Sequence, residues 1–182
     1  MEINNKKSGG IIMFKIVKNV VKYVRVAVEY YGDMKNDNDS PIFNKDEINT
    51  EGYILRKNGS KLLKSRIAIA GMAIVEFDNE HLVPCIYIDK LYEMMSKNAQ
   101  DFIIQHELGH FEYHKDKLLD NYERYDEMEN EADEYAAQII GYDNVISALE
   151  EIKEMLLVSS LYCNKAGVKE IERRIKYIEK IK

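Results

Sequence analysis

The hydrophobic pattern changes its period once along the chain, and that single change narrows the fold to few classes. Residues 66–77, Arg-Ile-Ala-Ile-Ala-Gly-Met-Ala-Ile-Val-Glu-Phe, are apolar and β-prone. The polar residues Asp78, Asn79 and Glu80 follow, and residues 82–88, Leu-Val-Pro-Cys-Ile-Tyr-Ile, are β-prone again. Two such runs about a short polar turn predict a hairpin. Pro84 is easier to place on an edge strand, because it has no N–H to donate to a ladder. After Asp89 the spacing becomes helical. Residues 99–117 carry Phe102, Ile103, Leu108 and Phe111, and a second segment over 126–140 stops at Gly141, a common helix terminator. A third starts near Asn144, as N-cap, and runs through Ile146, Leu149, Ile152, Met155 and Leu156. The last, 168–182, repeats Ile171, Ile175, Ile178 and Ile181. The expected fold class is α+β: a small antiparallel or mixed sheet with an edge hairpin, followed by a helical half.

Upstream, residues 14–28 place Ile16, Val17, Val20, Val21, Val24 and Val28 at helical spacing with lysines between them. An amphipathic helix fits this pattern, although the alternation over residues 24–28 also permits a strand. Such a basic segment is compatible with peripheral contact at a membrane surface, and more simply with packing on the domain. The polar run over residues 33–41 reads as a linker. The expected organisation is therefore an N-terminal segment over 1–40 and a folded domain over 41–182.

Composition removes several classes of function. The chain of 182 residues is 46% hydrophobic and 32% charged, a balance that supports a packed core over disorder. A net charge of -6, with the basic residues dispersed, argues against a nucleic-acid partner. Cys85 and Cys163 are the only cysteines, too few for a disulfide framework or a cysteine metal site, and they fit a reducing, cytoplasmic setting. No apolar run approaches the roughly twenty residues of a transmembrane helix.

The chemistry is concentrated in His106-Glu107-Leu108-Gly109-His110. On a helix, residues four apart share a face, so His106 and His110 can present two imidazoles to one metal ion. Glu107 lies beside them, placed to take a proton from an attacking water rather than to bind the metal. A catalytic zinc needs a third protein ligand and an open position. Glu129 offers one from the next helix, and Asp133, one turn on, can accept a hydrogen bond from a ligating imidazole and fix its orientation. Glu131 points about 160° away from Glu129 around that helix and is not an equivalent ligand. Ala132, Ala136, Ala137 and Gly109 are small enough to let the two helices approach closely. A third ligand at Asp116 would need the chain to turn back near Tyr113, where no glycine permits it. His114 is expected near the site rim or at the helix C-terminal end, and His81 in the exposed hairpin turn. Tyr113, Tyr135 and His114 are candidates for stabilising an oxyanion. An extended substrate could pair with a strand edge over residues 67–75 or 82–88.

Two family resemblances follow from these residues. The first rests on His-Glu-Leu-Gly-His with Glu129-x-x-Ala132-Asp133-x-Tyr135-Ala136-Ala137, which resembles the HtpX and CAAX-prenyl-protease type of zinc peptidase among the gluzincins. It extends through Gly141-Tyr142-Asp143 to a closing segment with the pair Arg174-Ile175, over roughly residues 85–182. The transmembrane helices common in that family are missing here, as is its closing histidine-proline pair, where Asn164-Lys165-Ala166-Gly167 stands. The second resemblance is to the ImmA/IrrE regulatory peptidases, small soluble proteins that share the histidine motif and the downstream acidic helix. Either resemblance implies a zincin-like metallopeptidase domain over residues 41–182. It also implies a Zn2+ cofactor on His106, His110 and Glu129, Glu107 as general base, and a protein or peptide substrate. In the second case that substrate is a transcriptional regulator. The competing expectation is a zinc-binding interaction module that does not cut its partner.

Overall fold

The computed structural model describes residues 44–57, 69–77, 81–88, 90–119, 126–159 and 165–182. The segment expected over residues 1–40, the linker, the hairpin turn at 78–80 and Cys163 lie outside these residues, as do the side chains of His81 and Asp116. Among the described residues, three strands come first: β1 (Ile54–Lys57), β2 (Ala70–Phe77) and β3 (His81–Ile88). Five helices follow: α1 (Lys90–Glu93), α2 (Lys97–Leu119), α3 (Asp126–Ile140), α4 (Tyr142–Ser159) and α5 (Lys165–Ile181). This is the α+β order that the change of period predicts.

The described sheet is mixed, with strand order β1-β3-β2. The expected hairpin is present, antiparallel, in register from Ala70 opposite Ile88 to Phe77 opposite His81. The short strand β1 was not expected, because four residues carry too little periodicity to read. It runs parallel to β3 and makes β3 the central strand, so the edge placement of Pro84 needs correction. The β1 ladder begins only at the pair Ile54–Cys85. At Pro84 the described sheet therefore continues on the β2 side alone, and the missing N–H costs no bond to β1.

Alternation along β3 sorts its side chains to two faces. Val83, Cys85 and Tyr87 join Ile54 and Val75 in one buried cluster. Ile86 and Ile88 face the other way and meet Tyr53 and Ile104, with Leu108 against them, so α2 lies across this face. The main core is helical: Phe102 and Ile103 of α2, Ala136 and Ala137 of α3, Leu149 and Ile152 of α4, and Ile171, Ile175 and Ile178 of α5. Each large apolar side chain so buried contributes about 1.5–3 kcal/mol.

The helix ends follow local chemistry. The Ser96 hydroxyl accepts from the Ala99 amide at 3.1 Å, capping α2 two residues earlier than expected. Gly141 ends α3 with φ of 93°, in the left-handed region that favours glycine. Its carbonyl accepts from the Val145 amide at 3.1 Å, so α4 starts at Tyr142 and not after Asn144. Asn144 instead reaches back, donating to the Ile140 carbonyl at 2.6 Å. No helix among the described residues is long and apolar enough to cross a membrane.

Candidate metal centre

The site is built where α2 and α3 touch. A Cβ on Gly109 would lie 3.0 Å from both the Ala132 Cα and the Tyr135 Cβ, so only glycine allows this approach without a shift. The close approach sets Glu129 of α3 opposite the histidine face of α2. The Nε2 atoms of His106 and His110 are 3.1 Å apart. Each is 3.4 Å from one oxygen of the Glu129 carboxylate. One ligand atom from each of the three residues falls within a 4.8 Å cluster. Two imidazoles and a carboxylate are the donor set of a catalytic zinc site with one position open.

Hydrogen bonds behind the histidines decide which nitrogen faces the cluster. His106 Nδ1 lies 2.8 Å from Asp133 Oδ1, and an ionised carboxylate only accepts, so His106 carries its proton on Nδ1 when neutral. A similar chain stands behind His110. Glu131 Oε2 is 2.7 Å from His114 Nε2 and holds the proton there. His114 Nδ1 then accepts from His110 Nδ1 at 3.2 Å. When both are neutral, the His106 and His110 imidazoles thus turn bare Nε2 lone pairs toward each other and toward Glu129. In that neutral form three groups of acceptor character converge, an arrangement that a bound cation reconciles and that a proton on His106 relieves when no cation is bound. The residues fit a metal.

Two placements differ from the sequence reading. His114 is not at the rim: it is 1% exposed and stacked one turn beyond His110. Glu131 does point away from the three-residue cluster, yet it reaches His114 because α2 extends past that cluster. The Asp133 partnership is as expected, and it has an addition. Arg174 of α5 is buried and donates through Nε to Asp133 Oδ2 at 2.7 Å and through Nη2 to Asp133 Oδ1. Its Nη1 lies 3.3 Å from Glu129 Oε2. Sequence reasoning missed Arg174 as a site residue. The available signal was a charged residue on the Ile171–Ile175–Ile178 stripe, three after Ile171 and four before Ile178.

The electrostatics follow from this packing. Burial and the Arg174 charge both act to lower the His106 pKa, but the carboxylates of Asp133 and Glu129 outweigh them and push it up to about 9. Burial would raise the Glu129 pKa, yet its bonds to His106 and His110 hold it far below the usual carboxylate range. Asp133 is also lowered: burial opposes this, and the Arg174 charge and hydrogen bonds prevail. Arg174 stays charged, because those carboxylates more than offset its burial.

Glu107 is buried at 6% exposure next to His106. Tyr113 is 50% exposed and packs edge-on against Tyr135, ring centroids 5.7 Å apart. Helix α2 continues unbroken past Tyr113 to Leu119, so the chain makes no turn that would bring Asp116 back to the histidines.

A mixed sheet backed by a helix whose two histidines meet a carboxylate of the next helix fits a metal-dependent peptidase, and the family comparison gives that class. Residues 59–158 match the IrrE N-terminal-like domain of peptidases, and the chain belongs to this family. The match covers all of α2 and α3, with His106, Glu107, His110, Glu129 and Asp133, and stops before α5. It agrees with the second of the two resemblances, and no finding supports the HtpX and CAAX-prenyl-protease reading. No curated protein and no solved structure matches the chain.

Proposed function

We propose that this chain is a zinc-dependent endopeptidase of the ImmA/IrrE regulatory type, hydrolysing a peptide bond in a protein substrate such as a transcriptional regulator. The observation that carries this reading is the convergence of His106 Nε2, His110 Nε2 and Glu129 within 4.8 Å, with both imidazoles oriented from behind. Zinc bound there would supply Lewis-acid polarisation of the scissile carbonyl and of the attacking water. His106, His110 and Glu129 would hold the ion, while Asp133 and His114 keep the two imidazoles in the required tautomer. Glu107 would take the proton from the attacking water and deliver it to the leaving amine. Its burial beside His106 would hold the carboxylate in place for that transfer. An extended substrate would add by main-chain pairing along β2, which has no described strand on its outer side. The alternative edge is closed over residues 85–88, because β3 is paired there on both sides.

The test is the Glu107→Gln variant assayed beside wild type for zinc content and for cleavage of cellular proteins. Zinc should be retained and hydrolysis lost. Full hydrolysis by the variant would remove Glu107 as the base. Wild type that carries zinc and cuts nothing would point instead to a non-catalytic module that binds its partner.

A further inference from the structure

Arg174 lies on α5, outside the residues 59–158 that match the peptidase family, yet its guanidinium borders the His106–His110–Glu129 cluster. From this geometry we infer that Arg174 is a positioning residue for the metal, so that α5 is a working part of the metal centre and not an appended helix. The inference rests on the zinc reading of the site.

The argument is one of orientation. Asp133 is 0% exposed, and both its oxygens are taken by the Arg174 fork, Oδ2 by Nε and Oδ1 by Nη2. A carboxylate gripped at two points cannot rotate about its Cβ–Cγ bond. The same Oδ1 accepts from His106 Nδ1 at 2.8 Å, and the two donors on it, Arg174 Nη2 and His106 Nδ1, are 3.2 Å apart. The fork therefore fixes the oxygen that fixes the imidazole that offers its lone pair to the metal. The third guanidinium nitrogen, Nη1, borders Glu129 at 3.3 Å, so one side chain steadies two carboxylates of the centre. Lysine is a point charge without the planar fork and would hold the Asp133 carboxylate less firmly.

Charge and orientation make opposite forecasts here. A cation beside the ligands repels an incoming metal ion, so if Arg174 acts through its charge alone, removing it tightens zinc binding. If it acts by orienting Asp133, removing it weakens zinc binding.

The experiment uses the full chain and four variants: R174K, R174M, D133N and D133N/R174M. Zinc dissociation constants come from competition with a chromophoric chelator, and ligand geometry from the visible spectrum of the Co2+-loaded protein. Thermal melts establish that each variant is folded. R174K and R174M should each weaken zinc about 10- to 100-fold, the usual effect of losing an outer partner of a metal ligand. Both should change the cobalt spectrum, which a purely structural role would leave alone. In the D133N background R174M should add little further loss, because the group it orients has already been replaced. The double variant removes both members of the buried pair, so it remains informative if R174M alone does not fold. Zinc held by folded R174M as tightly as by wild type, or more tightly, overturns the inference. Wild type that binds neither zinc nor cobalt overturns the metal reading itself, and the inference with it.

Discussion

Replacing Gly109 by alanine would add one methyl group between the two ligand-bearing helices. The new Cβ would lie 3.0 Å from the Ala132 Cα, 3.0 Å from the Tyr135 Cβ and 3.1 Å from the Ala132 carbonyl oxygen. Carbon atoms settle at about 3.5–4.0 Å, so α2 and α3 must part by about 0.5–1 Å. No neighbour can be trimmed to make room, since two of the three atoms are backbone and the third is a Cβ. Overpacking of this kind costs about 1–3 kcal/mol. Alanine recovers about 1 kcal/mol of helix propensity, leaving a net loss of about 0–2 kcal/mol. For a chain of this size that lowers Tm by at most about 8 °C. The site should suffer more than the fold. Ala132 lies between Glu129 and Asp133, and a metal constellation tolerates only about 0.5 Å of displacement. Zinc affinity in G109A should therefore fall about 10- to 100-fold, a loss comparable to that of removing an outer partner. Chelator competition and a thermal melt on the same sample would separate the two effects. A G109A protein with wild-type zinc affinity and an unchanged Tm would refute the claim that this contact sets the ligand spacing.

Two further expectations concern the chains behind the histidines. Glu131→Ala removes the acceptor that holds the His114 tautomer; zinc affinity should drop, by less than for D133N, because the Glu131 side chain is 52% exposed where Asp133 is fully buried. A chelator titration giving equal losses for both would contradict that ranking. The second concerns pH in the metal-free protein. The His106 pKa is raised from 6.5 to about 9, so its stabilising contribution is complete below pH 6.5 and is lost as pH rises through about 9. Melting temperature without metal should fall over that window, and loading zinc at pH 7 should release a proton, measurable by calorimetry in buffers of different ionisation enthalpy. A flat metal-free profile would show that the Asp133 and Glu129 carboxylates do not hold that proton.

The parts of the site that were legible in the sequence are those fixed within one helix. His106 and His110, and likewise Glu129 and Asp133, are four residues apart, and helical geometry alone puts each pair on one face. The small residues Gly109 and Ala132 announced that the two helices could meet. Contacts between helices were harder. Arg174 reaches Asp133 across 41 residues of chain, and nothing local to either residue specifies the other. His114 sits neither at the rim nor at the helix end, because a contact between helices, with Glu131, covers it and the period of its own helix cannot show that. In the sheet, the hairpin was readable from two eight-residue strands, while β1, with four residues, was not. That omission in turn put Pro84 on an edge.

The junction at Gly141 bears on motion. A single residue, Gly141, joins α3 to α4, so little chain separates the two helices. Helix α4 shares its buried cluster with α2 and α3 alike, so the two helices that carry the ligands are clamped together by a third. Jaw-like opening of the ligand pair would have to break that cluster. The two ligand-bearing helices thus form a rigid anvil, and a polypeptide docking against them would meet a site whose spacing is already set.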